Sequence, residues 1–166
     1  MSTLSGHYVE TSVYTRLDNR LKNVSISAAR DSVQFYDLNS YADGYIVFNY
    51  GDAVKAVEDN ITSSLSIDSD FNPVEGSAWE SKVSYTLALF DESLEAKVFK
   101  DGVKIDSWKF TYPTTYTDKV TGYQFTIDYP GAVVSIDGGN YLFDKGLNKT
   151  LPLSRASYYR LHERWF

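Results

Sequence analysis

The sequence contains no cysteine, four prolines, one methionine and two histidines in 166 residues. Without thiols there is no disulfide, thiolate nucleophile, iron–sulfur cluster or cysteine zinc site, and the redox compartment is left undetermined. No run approaches the roughly 18 to 20 consecutive apolar residues that a bilayer-spanning helix needs, so no membrane span is expected. Residues 1–7 show neither a basic region nor an apolar one, so no secretory signal is expected and localisation stays unknown. A basic excess is missing too. Sixteen Lys and Arg stand against 22 Asp and Glu, a net charge of −6, which argues against the phosphate neutralisation that a nucleic-acid partner requires.

Catalytic signatures are equally scarce. There is no G-x-S-x-G elbow, no P-loop and no G-x-G-x-x-G, so the common acyl-transfer, nucleoside-triphosphate and dinucleotide patterns are absent. Asp68, Asp70 and Asn72 match the first three ligands of an EF-hand loop, but Pro73 and Trp79 stand where Gly and a bidentate Glu are required. His162-Glu163 has no second His one helical turn later, as a zincin helix would demand. Asp91-Glu92 reads most simply as a solvated turn. No catalytic residue, metal or cofactor is therefore assigned, and an enzyme is the least favoured class. Its groups would come from Asp, Glu, Tyr and the two histidines, His7 and His162.

What the chain does have is aromatic and alternating. Its 14 Tyr, 9 Phe and 3 Trp suit a pleated, half-buried surface. Period-two patterns recur over 61–67, 83–90 and 123–129, each with one apolar and one polar face. Further strands are expected over 8–15, 21–27, 33–38, 45–50, 132–136, 141–143 and 158–165. The run Asp137-Gly138-Gly139-Asn140 reads as a hairpin turn, and 68–77 as a long loop. A single short helix is expected, with Asp52 as N-cap, closing by Asn60. Nothing divides the chain. Residues 1–166 are thus expected to form a single all-β domain: an antiparallel β-sandwich or closed β-barrel with at most one short helix.

The sharpest local signal is Asp101-Gly102, a dipeptide suited to the positive φ of a type I′ turn. A two-residue loop sets Phe99 opposite Lys104, Val98 opposite Ile105 and Lys97 opposite Asp106. Leu94, Ala96, Val98, Val103 and Ile105 then share a face that should be buried, each large member contributing about 1.5 to 3 kcal/mol. Trp108 falls on the mixed opposite face, where it marks either a bulge or a contact surface.

Charge is unevenly spread. From residue 145 onward five basic residues face one acidic, leaving −10 on the rest, an arrangement suited to a basic terminal strand lying on an acidic body, its own or a neighbour's. That strand carries Tyr159, Leu161, Trp165 and Phe166, which either fill the chain's own core or anchor an assembly contact. Tyr36, Tyr41, Tyr45 and Tyr50, and later Tyr112, Tyr116, Tyr123 and Tyr129, exceed what one core readily hides, so some should meet a partner.

The first expectation is therefore a non-enzymatic structural subunit of a larger assembly, such as a virion or tail component. It would contact a protein partner or a second copy through Tyr159, Leu161, Trp165, Phe166 and Trp108. The alternative is a small-ligand or glycan-binding β-barrel. Leu4-Ser5-Gly6-His7-Tyr8 ahead of a strand, with an Arg- and Trp-bearing last strand, is similar to the calycin (lipocalin-like) pattern, although the Trp that should follow the Gly is missing. That resemblance implies a closed barrel around a cavity lined by Tyr and Phe.

Overall fold

The computed structural model describes residues 2–144 and 149–161, with side chains described over 12–141 and 151–161. The described chain is mostly β. Three helices come first: α1 (Ser2–Ser32), α2 (Leu38–Ala42) and α3 (Tyr50–Ser64). Seven strands follow: β1 (Ser84–Phe90), β2 (Glu95–Lys100), β3 (Val103–Lys109), β4 (Thr114–Thr117), β5 (Gln124–Ile127), β6 (Gly131–Asp144) and β7 (Lys149–Arg160). Five of them form one antiparallel sheet in the order β3-β2-β1-β6-β7, and β4 pairs with β5 in a second, two-stranded sheet. Among the described residues the large sheet keeps two open edges, β3 and β7, so no closed barrel forms.

Each face of the large sheet has its own apolar cluster. On one side α1 and α3 bury Leu17, Leu21, Val24, Ala28, Val57 and Ile61 against Tyr85, Leu87, Leu89, Val134 and Ile136. On the other, Ala88, Phe90, Ala96, Val98 and Val133 pack against Tyr116 and Ile127 of the small sheet. β1 is the central strand and is buried on both faces, so Thr86 and Ala88, on the face that alternation marks as the polar one, are buried as well.

Several expectations fail for one physical reason, namely that two periods compete for the same residues. The proposed strands over 8–15 and 21–27 lie inside α1, where Leu17, Leu21, Val24 and Ala28 recur at spacings of three and four. The proposed strand over 61–67 is the end of α3 and its exit. Ala53, Val57, Ile61 and Leu65 all point inward at a spacing of four, so Ser63, which the alternation set beside them, is exposed. α3 begins earlier than expected. Its N-cap is Asn49, whose side chain accepts from the Asp52 backbone N–H. The proposed strands over 33–38 and 45–50 reduce to one isolated bridge, Tyr36 to Phe48. Three helices thus replace the one short helix expected.

In the β half the outcome is closer. β1 and β5 fall where alternation puts them, and the long loop over 68–77 is present. The segments 132–136 and 141–143 are one strand, because Asp137–Asn140 is a register shift within β6 rather than a turn. β7 starts at Lys149, earlier than the proposed 158.

The hairpin at Asp101 and Gly102 forms, with positive φ at both residues, and Phe99 does oppose Lys104. The register then slips. A bulge between Val98 and Phe99 makes Ile105 the extra residue, so Asp106 opposes Val98 and Trp108 opposes Ala96. Ala96 and Val98 are buried as expected, whereas Val103 and Ile105 are 65% and 54% exposed. Leu94 is exposed as well, because it sits at φ 60° in the β1–β2 turn rather than in a strand.

Candidate functional site

The described residues offer two places where side chains exceed what the fold needs. The first is the connection between α1 and α3. α2 is a single turn whose N-cap, Asp37, accepts from the backbone N–H and the hydroxyl of Ser40. Those bonds hold the Asp37 carboxyl below its ordinary range. Around this turn Leu38 is 73% and Tyr45 58% exposed, with Phe35 and Tyr41 also open to solvent. Tyr36 and Tyr41 hold their rings 5.2 Å apart, and Tyr36 also packs against the core.

The base of this segment is tied down by the β1–β2 turn. Asp91 is buried and accepts from the Phe48 N–H (3.0 Å), the Tyr50 hydroxyl (2.9 Å) and both the N–H and hydroxyl of Ser93. Glu92 accepts from the Ile46 N–H at 2.6 Å and donates its own N–H to the Ile46 carbonyl. Lys97 caps the pair by donating to the Tyr50 hydroxyl and lying 4.3 Å over its ring. Asp91-Glu92 is therefore a structural clasp and not the solvated turn expected from sequence. Burial raises the Tyr50 pKa above its ordinary value.

The second place is a groove of about 530 Å³ between the β1–β3 part of the large sheet and β4 with the turn that follows it. Trp108 and Tyr116 stack there at 6.2 Å and 11°, with the edge of Phe90 against both. Tyr116 is buried and its pKa is raised, chiefly by burial and then by Asp118 and Asp106. Asp118 is also buried. Its Oδ2 accepts from the N–H (2.8 Å) and hydroxyl (2.6 Å) of Thr121, while its Oδ1 has no partner among the described residues.

The residues singled out from sequence are not brought together. Trp108 lies in the groove because the β3 bulge turns it there. Tyr159 and Leu161 sit at the opposite edge of the sheet, half-buried against the helix-side core. Trp165, Phe166 and His162 lie outside the described residues, and His7 is in α1 with its side chain outside them too. The basic strand does rest on the chain's own acids: Arg155 makes a two-pronged bond to Asp18 of α1, and Arg160 approaches Asp128 at 3.7 Å. The signals missed were Leu38, a lone apolar residue beside a helix cap, and Asp118, whose Thr three residues on fits an Asx-type turn.

The Asp68 carboxylate organises its own loop, its Oδ1 accepting from the N–H groups of Asp70 and Asn72. Among the described residues no group of three or more His, Asp or Glu is placed to hold a metal, and no helix is long and apolar enough to cross a membrane. Compared with known protein families, with curated proteins and with solved structures, the chain matches none.

Proposed function

We propose that this protein is a non-enzymatic subunit of a larger protein assembly, of the kind from which virions or tails are built. We place its contact at the apolar segment 35–45. One observation carries the reading: Phe35, Leu38, Tyr41 and Tyr45 are all solvent-exposed on that one short stretch, and a contiguous exposed apolar patch marks an interaction surface. Burying what is exposed of the four contributes on the order of 5 kcal/mol before the cost of association, enough for a contact repeated in an array. The clasp at Asp91 supports the same reading, since it presents the segment preformed.

This contact differs from the C-terminal one expected from sequence. Arg155 and Arg160 face acids of their own chain, and Tyr159 and Leu161 lie against their own core. Association through 35–45 is apolar and should survive salt that screens surface charge. Light scattering over a range of protein concentrations, at low and high ionic strength, tests this. The expected result is a mass that rises with concentration at both salts, and that stays monomeric in Leu38→Asp with an unchanged unfolding midpoint. A chain strictly monomeric under all these conditions refutes the proposal.

A further inference from the structure

We propose that the groove between the β2–β3 hairpin and the β4–β5 sheet is a binding site for an uncharged sugar ring. Its volume, about 530 Å³, lies within the range of small-ligand sites. Trp108 gives it a half-buried aromatic surface, with the Tyr116 ring parallel to it and the edge of Phe90 against both. The apolar C–H face of a sugar ring packs against such a surface. Thr86, on the sheet face it shares with Ala88 and Phe90, lines this wall with a hydroxyl able to donate and to accept, and Thr115 and Thr117 line the groove from β4, on either side of the inward-turned Tyr116.

Charge narrows the ligand class. Lys100 and Lys119 line the groove together with Asp106 and Asp118, so the lining carries no net charge and gives a net-charged ligand no overall attraction. Within that balance Asp118 is the exception. Thr121 holds its Oδ2 with two bonds, which fixes the carboxylate, and Oδ1 is left buried with no partner among the described residues. A buried acceptor left unmade is costly, and a donor brought to it recovers that cost. The same oxygen repels an anionic group. A neutral ring bearing several hydroxyls satisfies all three conditions, since it offers a stacking face, donors for Oδ1 and a mixed partner for Thr86. Oδ1 is sealed from water among the described residues, so a ligand donor engages it only when its neighbours move, and the exposed Lys119 and Val120 that follow it line the same groove.

The test is a titration of the ¹⁵N-labelled full chain with methyl β-glucopyranoside, glucosamine and glucuronate, following the Trp108 indole N–H and the amides of 115–121. The neutral glycoside should shift these signals saturably, glucosamine less and glucuronate least. Asp118→Asn keeps the carbonyl that Thr121 needs but puts an N–H₂ in place of the unpartnered Oδ1, and should weaken binding at least about fivefold. Val120→Trp, at an exposed position on the groove's mouth, should block binding with the fold intact, while Leu38→Asp should leave it unchanged. Preference for glucuronate, equal binding by Asp118→Asn with a native spectrum, or no shift at Trp108 with any of the three overturns the proposal.

Discussion

The clasp at Asp91 can be tested by a single substitution whose size follows from the geometry. Asp91→Ala removes an acceptor that four donors share. Two of the four, from Ser93, belong to an exposed residue and turn to water at little cost. The other two do not: the Phe48 N–H is buried, and the Tyr50 hydroxyl sits between Asp91 and the Lys97 ammonium. A buried donor left without a partner costs about 1–3 kcal/mol and the part-buried Tyr50 hydroxyl about 1 kcal/mol, so the substitution should destabilise the protein by about 2–4 kcal/mol. Against a typical total of about 5–15 kcal/mol that is a severe loss. Urea denaturation followed by tryptophan fluorescence measures it as a drop in midpoint at constant slope. Ser93→Ala, which deletes one exposed donor, should cost less than about 1 kcal/mol. If Asp91→Ala shifts stability by no more than Ser93→Ala does, the buried bonds contribute nothing net and the argument that the clasp presents the 35–45 segment falls with them.

Two further outcomes follow from the same structure. Because the bulge makes Ile105 the unpaired residue of β3, Ile105→Thr should change stability by less than about 0.5 kcal/mol, while Val98→Ala on the buried face should cost about 1–3 kcal/mol; the unbulged register predicts comparable losses at both, and denaturation midpoints decide. Burial, reinforced by Asp128, pushes the Tyr158 pKa up to about 12 from 10.0, and Tyr85, Tyr112 and Tyr116 move in the same direction. A raised tyrosine pKa means that the unfolded chain loses its proton first. The contribution is thus fully present below pH 10 and is lost as pH rises toward about 12. Stability should fall across that window as tyrosinate absorbance grows, and a flat profile would contradict the assigned burial.

How much of this was legible in the sequence depended on whether a residue's neighbours agreed with it. In β1, alternation, strand length and flanking turns agree, and the strand lies where the pattern puts it. At Asp101-Gly102 the turn chemistry is local, so the hairpin was readable. The slip one residue later was not, because a bulge is set by what the strand must face. Trp108 belongs against Phe90 and Tyr116, and only an extra residue at Ile105 turns it there. The groove was illegible for the same reason, being made by elements from three parts of the chain. Leu38 is simply exposed, and no spacing announces a residue that packs against nothing of its own.

The helices show how a period-two reading takes hold where it should not. Ile61, Leu65 and Ile67 with serines and threonines between them satisfy alternation, but Ile61 and Leu65 also continue a series begun by Ala53 and Val57. The decisive datum is the polar residue, not the apolar ones. Ser63 would have to be buried in the strand, and it is exposed in the helix at no cost. In α1 the ambiguity runs the other way, since the inward face includes Ser25 and Ser32 beside Ala28 and Ala29. Small residues let the helix lie close on the sheet, and the Ser25 hydroxyl meets that of Ser157 on β7 at 2.7 Å. A polar serine on an apolar face therefore carries information about its partner strand, which a single sequence withholds until the two elements are placed together.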